Sequence, residues 1–179
     1  MRVRGEPLAV RPDAWADRLT SQFAQRLRER AISWERHGLT APPVEEMLDR
    51  VIALLPLAAP NALDAEIGPF YDTASVETLL GGVSKQAVEA RRKKHTILAA
   101  KTTDGRWAYP TFQFTGSDVD PALVPAIQAF RNAPAWSAAL WFVTPNPDLD
   151  DATPLEWART GRPTDTLTSS AQRTAREWH

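Results

Sequence analysis

The stretch that decides the fold is residues 82 to 110, GVSKQAVEARRKKHTILAAKTTDGRWAYP. It begins as a short polar helix rich in cations and continues as two β-like runs around Asp104-Gly105, a dipeptide typical of hairpin turns. The preceding TASVETLL predicts another helix, and Gly81-Gly82 predicts the turn between them, because glycine adopts positive φ at little steric cost. Helix, turn, helix and hairpin are the order of a winged helix-turn-helix, which we expect over residues 69–116.

The second helix of this pair has one face suited to reading DNA, and Ser84 is placed to cap its start. With Val88 at the centre of the buried face, Gln86, Ala90 and Lys93 fall on the opposite side, as in a recognition helix. Glutamine can hydrogen-bond to adenine, the small side chain of alanine can contact a thymine methyl, and lysine can bind guanine or phosphate. The residues that we expect at the DNA interface are Ser84, Lys85, Gln86, Glu89, Ala90, Arg91, Arg92, Lys93, Lys94, Lys101 and Arg106.

Arg91 and Arg92 lie nearer the buried side of the helix, so they reach sideways to phosphates or pack by their stems on the protein. A purely structural alternative is that the cations at the end of this helix complement its dipole. That alternative accounts for Lys93, Lys94 and His95 but leaves the cations of the hairpin unexplained. We therefore favour a DNA-binding function for this face.

The charge pattern separates this basic stretch from an acidic one. From Ala74 to Trp107 there are seven Lys or Arg against three acids, a balance of +4, although the whole chain has a formal charge of -1. From Ser117 to Ala158 there is one Arg against six acids, a balance of -5. This asymmetry indicates two surfaces with different partners, or charges that cluster by chance on solvated faces.

Two amphipathic helices are expected before the central stretch. In residues 13–37, Trp15 and later apolar residues recur every fourth position, Asp13 can cap the start and Gly38 can end the helix. After Pro42-Pro43, a second apolar stripe runs to Pro56 and Pro60. The apolar positions of the two stripes are Trp15, Leu19, Phe23, Leu27, Ala31, Val44, Met47, Leu48, Val51, Ile52 and Leu55. Two helices make a poor core alone, so we expect the region 1–68 to pack on the rest of the chain or to form a homodimer.

The part after the hairpin is predicted to be a small helical bundle over residues 117–162, followed by a polar tail, 163–179, that is weakly docked or frayed. Thr153, Pro154 and Glu156 form a strong helix-start signal, and Gly161 can end that helix. The expected inward stripes are Leu123, Val124, Ile127 and Phe130 in one helix and Trp136, Leu140 and Val143 in the next. The fold class is therefore mainly α: an N-terminal helical pair, a central winged helix-turn-helix with one β-hairpin, and a C-terminal bundle.

No sequence feature favours an enzyme or a metal protein. There is no cysteine, and His37, His95 and His179 have no ligand spacing with one another. Asp148, Asp150 and Asp151 can be a cation site or, more simply, a solvated acidic turn. We expect no cofactor and no metal. With no signal peptide or membrane span in the sequence, a cytoplasmic protein with no membrane partner is expected.

The C-terminal run WFVTPNPDLDDATPLEWARTG resembles the end of the toxin-binding domain of Xre/MbcA/ParS-type antitoxins, which have an apolar helix ending in Trp, a Thr-Pro-Asn turn, and a Thr/Ser-Pro-Leu-Glu helix closing on Gly. The matching residues are Trp141, Thr144, Pro145, Asn146, Thr153, Pro154, Leu155, Glu156 and Gly161. Residues 79–114 are similar to the helix-turn-helix and hairpin of longer relatives and of MerR- or excisionase-like domains. The chain departs from the pattern at Asp150 and Asp151, where many relatives have glycine, and in its N-terminal helices.

The resemblance implies a two-part protein that binds its own promoter and neutralises a RES-type toxin, which consumes NAD. The expected partner-binding residues are Trp141, Pro145, Asn146, Pro154, Leu155 and Trp157. Two other functions stay open: an excisionase- or MerR-like DNA-binding regulator with no toxin, and a protein-interaction adaptor whose helix-turn-helix is only structural.

Overall fold

The computed structural model describes residues 12–53 and 66–178, which are mainly helical with small antiparallel sheets. The chain divides into two compact units, Met1–Met47 and Leu48–His179. Helix α1 spans Pro12–Arg36 and helix α2 spans Val44–Ala53. Leu55, Pro56 and Pro60, which we expected at the end of the second helix, lie outside the described residues.

The two N-terminal helices form as predicted, with α1 starting one residue before Asp13. Gly38 ends α1 with φ 66°, and the N–H of Leu39 donates to the carbonyl of Trp34. No side chain described between residues 13 and 52 is buried. The apolar side chains of this stretch are therefore exposed or only partly covered.

The second unit contains six further α-helices whose bounds both lie within the described residues: α3 Thr73–Leu79, α4 Lys85–Lys93, α5 Val124–Ala129, α6 Ala135–Val143, α7 Pro154–Arg159 and α8 Thr164–Glu177. The strands are β1 Phe70–Tyr71, β2 Ala100–Lys101, β3 Trp107–Pro110, β4 Phe114–Thr115 and β5 Asp118–Val119. β3 lies between β1 and β2 in an antiparallel sheet, and β4 pairs with β5.

The turn signals of the central stretch form as predicted. Gly81 and Gly82 both have positive φ. At the end of α3, the N–H of Gly81 donates to the carbonyl of Thr78 and the N–H of Gly82 donates to the carbonyl of Glu77. In the β2–β3 hairpin, the N–H of Gly105 donates to the carbonyl of Thr102, and the N–H of Thr102 donates to the carbonyl of Arg106. Gly105 has φ 83°, so the loop is a three-residue turn that ends in a left-handed glycine.

Two features go beyond the single predicted hairpin. Strand β1 adds to β3, with Phe70 opposite Pro110, and the N–H of Thr111 donates to the carbonyl of Pro69. Strands β4 and β5 form a second short hairpin around Gly116, which has φ 61°. A strand of two residues has too short a pattern to be recognised in a sequence.

One hydrophobic core joins residues that we assigned to separate domains. It contains Val76 and Val88 from α3 and α4, Phe142 from α6, and Leu167 from α8. The boundaries expected after residues 116 and 162 therefore do not separate independent cores. The tail is a packed helix: α8 contacts α5 and α7 and buries Leu167, Ser170, Ala171 and Ala175.

Helix α6 buries a different face from the predicted one. Ala138, Ala139, Trp141 and Phe142 are buried, whereas Trp136, Leu140 and Val143 are only partly buried. The helix is apolar on nearly all sides, so its periodicity does not identify the inner face.

Candidate nucleic-acid interface

Helix α4 presents its predicted outer face to solvent. Val88 is fully buried on the inner side, and Gln86, Ala90 and Lys93 are exposed on the other. The Ser84 hydroxyl accepts a hydrogen bond from the N–H of Ala87 at 3.3 Å, which caps the helix. The outer stripe is therefore held by a short, capped helix whose inner side belongs to the core.

Acidic side chains of the same region pair with several of the expected DNA-binding cations. Lys93 Nζ lies 2.8 Å from Glu89 Oε1, and Arg92 lies 3.9 Å from the same oxygen. The hydrogen bond from Lys93 is the main cause that lowers the pKa of Glu89, with help from the charge of Arg92. At neutral pH, Glu89 therefore compensates part of the positive charge on the outer face of α4.

Arg91 and Arg92 pack sideways, as their position near the buried side of α4 predicts. Arg91 Nη1 lies 2.7 Å from Asp118 Oδ1, so it joins α4 to β5. The pKa of Asp118 is lowered mainly by the N–H of Val119 and further by Arg91. The guanidinium carbon of Arg92 lies 3.8 Å from the ring centre of Trp107, which is a cation–π contact between α4 and β3.

Two cations lie near the tip of the hairpin: Arg106 forms an ion pair, and Lys101 lies near an aromatic ring. Arg106 Nε lies 2.6 Å from Asp104 Oδ2, and Asp104 also accepts a hydrogen bond from the Thr102 hydroxyl. That hydroxyl is the main cause of the lowered pKa of Asp104, followed by Arg106. Lys101 Nζ lies 5.8 Å from the Trp107 ring. Of the cations expected at the interface, Lys85, Lys94 and Lys101 form no ion pair within the described part of the chain.

The structure places at this site three side chains, those of Trp107, Trp136 and Gln113, that the sequence analysis did not assign to it. The guanidinium of Arg92 stacks on the ring of Trp107, and the Nε1–H of Trp136 donates to the carbonyl of Lys101 at 3.0 Å. Gln113 is fully buried and bonds both the N–H and the carbonyl of Leu98 and the carbonyl of Pro110. Its one sequence signal is a polar residue inside the apolar run YPTFQF.

Half of the six expected partner-binding residues are buried and serve the core. Trp141 and Trp157 are each 8 % exposed, and Pro154 is fully buried. The Trp157 Nε1 donates to the carbonyl of Pro163, whereas the buried Nε1 of Trp141 has no hydrogen-bond partner. These three residues contribute to the fold, so an interface at this surface must use others.

The other three expected partner residues lie in and beside the Pro-rich turn. Pro145 is exposed and Leu155 is partly buried against the core. Asn146 organises the turn: its side-chain oxygen accepts from the N–H of Asp148, and its amide donates to the Ser170 hydroxyl. Of the six, Pro145 alone has an exposed side chain.

Arginines from other segments compensate the acidic region. Arg91 pairs with Asp118, Arg162 lies 3.4 Å from Asp150, and Arg173 lies 3.1 Å from Asp148. Asp150 and Asp151 have φ 55° and 57°, a left-handed conformation that favours glycine. The two positions at which the sequence analysis expected glycine from the resemblance thus both have positive φ.

Among the described residues, no three His, Asp or Glu side chains are grouped so that they could hold a metal ion. Over the same residues, no helix has the length and hydropathy needed to cross a bilayer. No family model, curated protein or solved structure matches the chain.

Proposed function

We propose that this chain binds double-stranded DNA as a winged helix-turn-helix protein, with α4 as the recognition helix and the β2–β3 hairpin as the wing. The observation that carries the proposal is the exposed stripe of Gln86, Ala90 and Lys93 on α4, one helix face opposite the buried Val88. A helix can enter the major groove only when its outer face projects from the protein. The small side chain of Ala90 at the centre of the stripe leaves room for base edges.

The contacts between α4 and the hairpin support a single DNA-binding surface. Arg92 stacks on Trp107 of β3, and Arg91 pairs with Asp118 of β5. The Arg92 contact holds the β2–β3 hairpin next to the helix, which a wing needs if its cations are to reach the flanking backbone, and the Arg91 pair joins the helix to the second hairpin, β4–β5. Arg91 and Arg92 are thereby positioning residues, whereas Lys85, Lys94 and Lys101 are the residues that contact phosphates.

Within this proposal the chain is an autoregulator of its own promoter, and neutralisation of a RES-type toxin is a second proposed activity. The geometry that favours a partner surface is the exposed turn with Pro145 and the two left-handed residues Asp150 and Asp151. Strained backbone is often retained at functional sites. A rigid turn also loses little entropy when it docks on a partner.

The toxin activity can be tested apart from DNA binding. Co-expression with the product of the neighbouring gene, followed by pull-down, should yield a complex and relieve toxicity. Pro145→Ala combined with Asp151→Lys should weaken that complex, while Pro121→Ala, at another exposed proline, should not. A harmless neighbour that forms no complex would leave the excisionase- or MerR-like regulator without a toxin.

The DNA-binding function is tested by selection from a pool of random duplexes. The wild-type chain should enrich one motif, and Gln86→Ala should lose preference at one base pair, by about 1–3 kcal/mol. Gln128→Ala is the matched control because Gln128 is exposed on α5, outside the proposed interface. Failure to enrich any motif, or an unchanged motif and affinity for Gln86→Ala, would overturn the proposal.

A further inference from the structure

The side chain of Trp107 lies where helix α4 and the β2–β3 hairpin meet, and a cation from each of them contacts its ring. The guanidinium carbon of Arg92, on α4, lies 3.8 Å from the ring centre, and Lys101 Nζ, on β2, lies 5.8 Å from it. Lys101 is also the residue directly opposite Trp107 in the hairpin. Both distances fall within the roughly 6 Å range of cation–π attraction. One ring therefore joins charged side chains of the proposed recognition helix and of the proposed wing.

The backbone of Lys101 is anchored from the other side of the hairpin. The Nε1–H of Trp136, on α6, donates to the carbonyl of Lys101 at 3.0 Å. The ring of Trp136 packs edge-on against Phe70, at 5.4 Å between ring centres, and Phe70 is a buried core residue. The hairpin is thus tied to the core at Lys101, so the direction of this lysine depends on what its side chain contacts.

The two cations at the Trp107 ring differ in their other contacts. Arg92 lies 3.9 Å from the carboxylate of Glu89, and its side chain is 24 % exposed. Lys101 is exposed and forms no ion pair within the described part of the chain. A second cation close to an unpaired ammonium makes the binding of an anion more favourable. Arg92 therefore fastens the ring to the helix, whereas Lys101 supplies the uncompensated charge.

We propose that Trp107 is a positioning residue for contact with the DNA backbone, because it directs the ammonium of Lys101 to a phosphate beside the bases read by α4. The inference rests on the proposed DNA binding and adds to it the residue that couples the wing to the helix. A lysine side chain loses rotamer freedom when it binds a phosphate. A ring that already restricts the lysine reduces this loss on binding.

The coupling is tested by combining substitutions of Lys101 and Trp107 and measuring the salt dependence of binding to the selected duplex. In the wild type, Lys101→Ala should reduce the slope by about 1, the loss of one phosphate contact. In Trp107→Leu the same change should have little effect, because Lys101 is already released from the ring. Lys85→Ala is the matched control. Lys85 is exposed and lies two turns from Arg92 along α4, so its effect should be equal in both backgrounds.

Further variants separate positioning from folding. Trp107→Phe retains an aromatic ring and should keep most of the effect of Lys101→Ala. Arg92→Lys keeps the net charge but loses the planar group that stacks on the ring, so it should reduce that effect as Trp107→Leu does, without changing the ring itself. Trp178→Leu removes a tryptophan that is 39 % exposed at the end of α8, and it should leave the slope unchanged. A purely structural role of Trp107 would lower affinity without altering the effect of Lys101→Ala.

Two outcomes overturn the inference and leave the proposed DNA binding intact. One is an effect of Lys101→Ala that is equal in the wild type, Trp107→Leu and Arg92→Lys. The other is a wild-type slope that Lys101→Ala does not change. A wild-type chain that binds no duplex overturns the proposed function and this inference with it, so the failures are distinguished by the wild-type measurement alone.

Discussion

At the scale of single residues, several positions are set by backbone conformation rather than by packing. His95 ends α4 with φ 52°, and the N–H groups of His95 and Thr96 donate to the carbonyls of Arg92 and Arg91. Gly81 occupies the same position at the end of α3. The same helix ending is thus built once with glycine and once with histidine, whose Cβ makes the left-handed conformation unfavourable.

The comparison of these two helix ends gives the first prediction. His95→Gly should raise the free energy of unfolding by up to about 1 kcal/mol, because it relieves the left-handed strain. Gly81→Ala should lower it by about 1 kcal/mol through backbone strain alone, since no described heavy atom lies within 4 Å of the added Cβ. Urea unfolding of both variants is the check, and a stability loss in His95→Gly would contradict this reading of the helix end.

Gln113 gives the second prediction at this scale. Its amide satisfies the N–H and carbonyl of Leu98, at 2.7 and 2.9 Å, in a fully buried position. Gln113→Ala leaves these groups without a partner and should cost about 2–4 kcal/mol of stability. Gln128→Ala, exposed on α5, is the control and should change the unfolding midpoint little. Equal midpoints for the two variants would show that water replaces the amide without cost.

At the scale of elements, the ends of helices were predictable and their inner faces were less so. The capping box of Thr153 and Glu156, the Ser84 cap and the glycine ends of α3 and α7 all form as the sequence indicates, because they depend on residues within one turn. The inner face of α6 and the docking of α8 were not predictable. They depend on which distant segment each helix meets, and a helix that is apolar on all sides carries no signal of its orientation.

In the candidate site, too, the features that depend on neighbouring residues were predictable, and the contacts between distant segments were not. The outward stripe of α4 follows from its own periodicity, so the exposure of Gln86, Ala90 and Lys93 was predictable. The contacts of Arg91 with Asp118 and of Arg92 with Trp107 join residues separated by 27 and 15 positions. No local pattern encodes such pairings, so the sequence indicated that these arginines point sideways but did not identify Asp118 and Trp107 as their partners.

The third prediction concerns Glu89 as a charge regulator of α4. Glu89→Gln should free Lys93 and Arg92 and so increase the affinity for any duplex DNA, with a steeper dependence on salt. Glu77→Gln on α3 removes the same charge from a side chain outside the stripe and is the control. Fluorescence anisotropy with a labelled duplex measures both. An affinity that falls in Glu89→Gln would instead mean that Glu89 contacts a base directly, as an acceptor for cytosine.

At the scale of the whole molecule, the chain divides into two compact units. The unit Leu48–His179 contains a core that extends from α3 to α8, so the proposed recognition helix, the wing and the acidic turn are parts of one folded body. The unit Met1–Met47 contains the exposed apolar stripe of α1.

The proposed DNA binding at α4 depends on charge as well as on base contacts. It is tested most directly by the salt dependence of binding to the selected duplex, for the wild type, Lys94→Ala and Arg176→Ala, an exposed cation of α8. We expect a steep loss of affinity with salt, a slope reduced by about 1 in Lys94→Ala, and no change in Arg176→Ala. A slope near zero for the wild type, or the same reduction in both variants, would contradict DNA binding through α4.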